Sequence, residues 1–198
     1  MEYMPELHYC CMCHEYLGDD DGDGICGECA DKDFTQDEID TANKTSRSSG
    51  AIGKNAIVPR FIRETSSKDE RILDFGAGKD AKHTLSLRQD GFDVTAYEFG
   101  ENIGQDHDPK ALGKQYDTVM ASNVLNVQKR RSMVSRTLME ISGCVKPEGR
   151  LVVNYPKSPR HCEGLGDKHI VEILLEFFAV VERVSKTSQL YEAKCPKI

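Results

Sequence analysis

From about residue 55 onward, short apolar runs alternate with stretches of helical periodicity. RILDF (71–75), DVTAY (93–97), YDTVMAS (116–122) and GRLVVNY (149–155) read as buried strands. Between them the pattern shifts to helices: NAIVPRFIRE around 55–64, with its proline inside or at the start, a segment at about 80–89, and one near 167–178. RRSMVSRTLMEISGCV places Val134, Leu138 and Ile141 on one helical face. Two further strands near 179–185 and 189–194 close the pattern. Strands that alternate with helices predict a mostly parallel α/β sheet covered on both faces. No internal repeat competes with this reading, and no apolar run reaches the ~18 residues that a membrane span requires.

The first 55 residues follow a different pattern. Residues 1–40 carry 13 acids and a single base, Lys32, whereas residues 41–198 carry 20 acids and 25 bases. The net charge of −7 therefore joins an acidic start to a mildly basic remainder. TANKTSRSSGAIGKN (41–55) is rich in Ser, Thr, Asn and Gly, which marks a linker between a module at 1–40 and a domain at 56–198. Thr35 and Glu38 fit a capping box, so a short helix is expected just before it.

Five of the eight cysteines fall between Cys10 and Cys29. Cys10-x-x-Cys13 and Cys26-x-x-Cys29 are separated by twelve residues, a spacing in which two tight turns aim four thiolates at one tetrahedral ion. The first residues have neither the basic nor the apolar region of an export signal, so a reducing cytoplasm is the expected compartment and zinc is preferred to disulfides. Four protein ligands make that zinc structural; Cys11 is a rival to Cys10. Between the two pairs, Asp19, Asp21, Asp23 and Gly24 imitate the start of a calcium loop, but Ala30 stands where the bidentate glutamate belongs. This acidic module suits a protein partner better than phosphates.

The central motif is ILDFGAGKD (72–80), at a strand end and a helix start. Gly76 and Gly78 permit a sharp turn and close approach of a ligand, with Ala77 between them, and Glu98 lies 20 residues after Gly78 at the end of the second strand, where it can accept bonds from ribose hydroxyls. An adenosine cofactor is implied. Asp74 discriminates among such cofactors, because a carboxylate there attracts an ammonium and repels a pyrophosphate. S-adenosylmethionine is therefore favoured over a nicotinamide dinucleotide.

With those residues in view, 70–195 resembles the class I S-adenosylmethionine-dependent methyltransferases: DFGAG is similar to their first motif, Glu98 to their ribose-binding acid, YDTVMASNVLNV to their fourth-strand motif and VKPEGRLVVNY to their proline-glycine turn into strand five. The resemblance implies a Rossmann-like sheet of seven strands, with Asp74, Gly76 and Gly78 at the methionine end, Glu98 at the ribose, and Ser122 and Asn123 near the sulfonium. Only 17 residues, Phe99–Gln115, replace the usual helix and third strand, so that edge strand is expected to be missing. Asp108 is the candidate adenine contact.

The acceptor is less explicit. Ser122-Asn123-Val124-Leu125 lacks the Pro-Pro-aromatic run of amino-methylating DNA enzymes, and no Pro-Cys nucleophile occurs. Lys129, Arg130 and Arg131, with Lys157, Arg160 and His161, and with Lys54, Arg60 and Arg63, suggest an anionic acceptor, nucleic acid slightly ahead of protein or small molecule. His161, Tyr155 and His83 are the candidate general bases; Cys144 and Cys162 are read as space-filling. Rival readings are a zinc-bearing interaction protein on a methyltransferase-like scaffold and a nicotinamide-dependent oxidoreductase.

Overall fold

In the computed structural model, residues 8–9, 16–18, 36–47, 56–98, 102–157, 159, 165–184 and 189–197 are described. Two short antiparallel strands, β1 (His8–Tyr9) and β2 (Tyr16–Gly18), come first. The first CxxC falls in the connection between them, although its cysteines, like Cys26 and Cys29, lie outside the described residues. Helix α1 (Gln36–Arg47) follows. It begins where the capping box predicts but continues through the first seven residues of the expected linker.

A six-stranded sheet then builds the main body. The elements run α2 (Ile57–Thr65), β3 (Arg71–Phe75), α3 (Lys82–Gln89), β4 (Asp93–Tyr97), β5 (Tyr116–Ala121), α4 (Arg131–Cys144), β6 (Val145–Asn154), α5 (Asp167–Phe177), β7 (Phe178–Arg183) and β8 (Leu190–Pro196). The strand order is β4-β3-β5-β6-β8-β7. β3 through β6 are parallel, and β8 runs antiparallel between β6 and β7. Among the described residues this sheet has six strands, not seven. Where a third strand would flank β4 there is one isolated parallel bridge, Ala96 to His107.

The near-continuous apolar strands arise because both faces are covered. Leu73, Phe75, Val119, Ala121, Leu151 and Val153 point into a core beneath α4 and α5. Their alternates Ile72, Met120 and Val152 join Val58, Ile62 and Leu87 on the side of α2 and α3. Pro59 is the third residue of α2, within the first turn where its missing amide breaks no bond.

One local expectation is revised. The proline-glycine segment is not a turn leading into the strand expected at 149–155, because β6 already begins at Val145, pairs with Tyr116, and bulges before Arg150 meets Thr118. Gly149 is required there: a Cβ would sit 2.8 Å from the Asp117 carbonyl oxygen.

Candidate cofactor site

The carboxyl ends of β3, β4 and β5 converge on the glycine loop. Gly76 and Gly78 both adopt positive φ, 71° and 72°, which L side chains rarely accept. The Gly76 and Ala77 amides each donate to the Tyr97 carbonyl at 2.9 Å, pinning the loop to the end of β4. A Cβ on Gly76 would meet Val124 Cγ2 at 2.7 Å, so the segment after β5 packs directly on the loop. A Cβ on Gly78, by contrast, would meet nothing within 4 Å among the described residues. Gly76 serves packing and Gly78 borders open space.

Asp74 points to the α2/α3 side of the sheet, 1% exposed. Thr84, one turn into α3, donates its hydroxyl to Asp74 Oδ2 at 2.8 Å. Oδ1 is buried and, among the described residues, has no hydrogen-bond partner. Burial pushes the Asp74 carboxyl up to about 7; Thr84 offsets part of this, and the nearby Glu98 charge adds to it. A buried carboxylate with an unsatisfied oxygen is an anion that lacks a cation. An ammonium group fits this need, a phosphate does not.

Glu98 is brought to the same place. Its Oε2 accepts a 2.7 Å bond from the Gly78 amide. Asp74, Gly76, Ala77, Gly78 and Glu98 are thus assembled by adjacent strand ends, the arrangement that motif spacing anticipates.

Ser122 and Asn123 are half-buried just past the end of β5. Asn123 has φ 59°, the left-handed region that asparagine tolerates. A reciprocal amide pair holds it: the Asn123 backbone N–H donates to Asn154 Oδ1, and Asn154 Nδ2 donates to Asn123 Oδ1, both at 2.7 Å. Since a backbone amide can only donate, the first bond fixes the orientation of Asn154, and the second then fixes Asn123. Asn154 was not apparent from sequence, where it reads as the next-to-last residue of a buried strand.

Other candidates are placed differently. The Asp108 carboxylate is bound by Lys114 Nζ at 2.6 Å and by the Lys110 amide at 2.8 Å, partners that hold its carboxyl below the usual range. It fixes a turn at the sheet edge. The residue beside it, His107, is the one that reaches the glycine loop, with Nε2 3.0 Å from the Gly78 carbonyl oxygen. Tyr155 is fully buried and donates its hydroxyl to the Leu165 carbonyl at 2.9 Å. Its phenol braces the loop after β6, an arrangement unsuited to a general base. His83 is half-buried, its Nε2 without a partner among the described residues, and burial together with the Arg63 charge lowers its pKa. His161 lies outside the described residues. Burial raises the Cys144 thiol to about 11, in keeping with a filler role.

The basic clusters are substantially neutralised within the chain. Arg130 makes a two-pronged contact with Glu38 of α1, at 2.6 and 3.1 Å, and Arg131 pairs with Glu176. Arg63 binds Asp90 at 2.6 Å and Ser86 at 2.7 Å. Lys129, Lys157 and Arg60 are exposed, whereas Lys54 and Arg160 are outside the described residues. Among the described residues no group of three or more His, Cys, Asp or Glu side chains is placed to hold a metal, and no helix is long and apolar enough to cross a membrane.

The deciding comparison is with sequence families: a family described as "Methyltransferase domain" matches residues 52–181, well over half the chain. The chain belongs to this methyltransferase family. Solved structures agree at the level of the fold. A TehB-like SAM-dependent methyltransferase from Corynebacterium glutamicum superposes with a TM-score of 0.54 at 15% identity, over 79% of this chain and 96% of that one. The glycopeptide N-methyltransferase MtfA, complexed with sinefungin, gives 0.52 at 14% identity, over 70% and 92%. Magnesium protoporphyrin IX methyltransferase from Synechocystis PCC 6803, with bound SAM, gives 0.50 at 17% identity, over 83% and 86%. No curated protein matches this chain in sequence. In this methyltransferase domain the six strands occupy the order described above, and the glycine loop lies at their carboxyl ends.

Proposed function

We propose that this methyltransferase domain uses S-adenosylmethionine to methylate a non-polymeric acceptor. The observation that carries the cofactor assignment is Asp74, buried at the root of the glycine loop with Oδ1 unsatisfied. Asp74 would hold the ammonium, the Gly76–Gly78 loop the carboxylate end, and Glu98 the ribose hydroxyls. When bound, the cofactor supplies an electrophilic methyl group for in-line displacement. The protein's part is then to align the acceptor and to remove its proton where it has one. The Asn123–Asn154 pair gives the wall beside the β5 end a fixed shape. His83, whose lowered pKa keeps the ring neutral, and His161 are the proposed bases. A nicotinamide dinucleotide would bring its pyrophosphate toward Asp74, which argues against the oxidoreductase reading.

The acceptor assignment departs from the expectation of nucleic acid. Three of the arginines that motivated it, Arg63, Arg130 and Arg131, engage carboxylates of this same chain. A site that grips a phosphate backbone needs several such charges free to face it. MtfA and the magnesium protoporphyrin IX enzyme are named for acceptors of another kind, a glycopeptide and a porphyrin. Incubating the full chain with methyl-labelled cofactor and separate pools of small metabolites, peptides, RNA and DNA tests this. Label in the metabolite pool is expected; label confined to RNA or DNA refutes the acceptor assignment, and no binding of cofactor refutes the whole.

We also propose that Cys10, Cys13, Cys26 and Cys29 hold a structural zinc. Their spacing supports this, as does the pairing of β1 with β2 on either side of the first CxxC. The acidic module around them is assigned a protein partner or a docking role on the basic domain. The contact of Glu38 with Arg130 is one point of such docking.

A further inference from the structure

Between β4 and β5 the described residues form neither a strand nor an α-helix, yet they contribute a buried imidazole to the back of the glycine loop. His107 is 8% exposed, and both ring nitrogens are engaged. The Gly104 backbone N–H donates to Nδ1 at 2.9 Å. An amide cannot accept, so Nδ1 is the unprotonated nitrogen and the ring proton sits on Nε2. Nε2 then donates to the Gly78 carbonyl at 3.0 Å. The backbone carrying the ring is itself fastened to the sheet, through the Ala96–His107 bridge and a 2.8 Å bond from the Asp108 amide to the Ala96 carbonyl. On its other side the Gly78 peptide is held by Glu98.

We propose that His107 is a positioning residue for the cofactor: acting through the Gly78 carbonyl, it holds the glycine loop in the shape that receives the methionine end. This rests on the assignment of Asp74–Gly78 to S-adenosylmethionine. The physical reason is the freedom of Gly78, which has no side chain, lies at positive φ and, among the described residues, has nothing within 4 Å of where a Cβ would stand; its carbonyl is held on the helix side by the Ala81 amide at 3.0 Å, and His107 adds the second, side-chain donor. Such a residue samples many orientations unless its peptide groups are anchored. A loop that is competent for only part of the time binds its ligand more weakly in proportion. From the sheet edge, the segment keys a second hydrogen-bond donor onto that carbonyl.

Two substitutions separate the two halves of the imidazole's role. Gln at 107 extends a side-chain N–H toward the position of Nε2 and can still donate to Gly78. Asn at 107 puts its carbonyl near the position of Nδ1, keeping the contact with Gly104 but offering Gly78 nothing. Calorimetric titration of the full-length protein with S-adenosylhomocysteine, alongside thermal unfolding of each variant, reads both. His107→Gln should bind within about threefold of the unaltered protein, and His107→Asn and His107→Ala should bind roughly five- to twentyfold more weakly, the loss expected for one anchoring hydrogen bond. His107→Asn should also melt within a few degrees of the unaltered protein. The proposal is overturned if folded His107→Asn binds as well as the unaltered protein, or if His107→Gln is as weak as His107→Asn. If the unaltered protein binds no S-adenosylhomocysteine, the cofactor assignment itself fails and this proposal with it, a different result from unequal variants.

Discussion

The proposed contact of Asp74 with the ammonium of S-adenosylmethionine makes cofactor binding dependent on pH in a calculable way. The unfolded chain releases this proton near 3.8 and the folded protein near 7. Between those values the native state holds a proton that the unfolded state has lost, so the contribution of Asp74 to stability is complete below pH 4 and declines as pH rises toward 7. At about 1.4 kcal/mol per pH unit the span corresponds to a loss on the order of 4 kcal/mol by neutral pH. A ligand that brings an ammonium to Oδ1 reverses the preference, because it binds the carboxylate and not the acid. With a free-state value of about 7, apparent affinity should fall about tenfold from pH 8 to pH 6, and binding at pH 6 should release about 0.9 proton.

Titration calorimetry with S-adenosylhomocysteine measures both quantities when it is run at each pH in two buffers of different ionisation enthalpy. Asp74→Asn should bind weakly at every pH and show no proton release. A dissociation constant that does not change between pH 6 and 8, or release of less than about 0.3 proton at pH 6, would falsify the assignment of Asp74 to the ammonium. The stability side has its own check. Thermal unfolding with and without S-adenosylhomocysteine should give a larger ligand-induced rise in melting temperature at pH 8 than at pH 6.

The remaining predictions concern separate parts of the molecule. Gly76→Ala meets both a positive φ and Val124, so urea unfolding should show a loss of about 2–4 kcal/mol, whereas Gly78→Ala has only the backbone strain, about 1–2 kcal/mol, but should lose cofactor affinity by more than its stability change implies. Asn154→Ala removes two hydrogen bonds that hold Asn123 in the left-handed region, and a stability loss of about 1–3 kcal/mol with nearly unchanged S-adenosylhomocysteine affinity is expected; a tenfold fall in affinity would place Asn123 in the cofactor site proper. Protein purified without chelator should contain one zinc per chain by elemental analysis, and replacing Cys10 and Cys13 together should abolish it; full retention would transfer the ligand role to other residues.

The parallel strands and the glycine loop were readable because each depends on local chemistry. Strands buried on both faces must be apolar at successive positions, as in Val119-Met120-Ala121 of β5 and Leu151-Val152-Val153 of β6, and a loop at positive φ shows its glycines. What was not readable depends on distant pairing. Glu38 and Glu176, which occupy Arg130 and Arg131, lie 92 and 45 residues away in sequence, so the KRR run looks like a free anion site until the chain is folded. Tyr155 follows a strand toward the site, but its hydroxyl is claimed by Leu165 across the next loop. Asp108 and His107 are neighbours, and the choice between them turns on a single bridge to Ala96 that no periodicity announces.

That bridge also explains how a sheet can do without its third strand. An edge position sets two needs: the backbone groups on the outer side of β4 must find partners, and the glycine loop needs a backing on that side. The segment Asn102–Lys114 meets both with little chain. The Asp108 amide satisfies the Ala96 carbonyl, Lys114 and Lys110 lock the turn through the Asp108 carboxylate, and the ring of His107 stands behind Gly78. Asp108 and His107 therefore divide the work, the first holding the segment in its turn and the second holding the loop. A carboxylate at 107 would repel Asp74 and Glu98, and a lysine would compete with the cofactor's ammonium for Asp74. A neutral imidazole with its proton on Nε2 supplies the donor without either charge, which is why this position suits histidine.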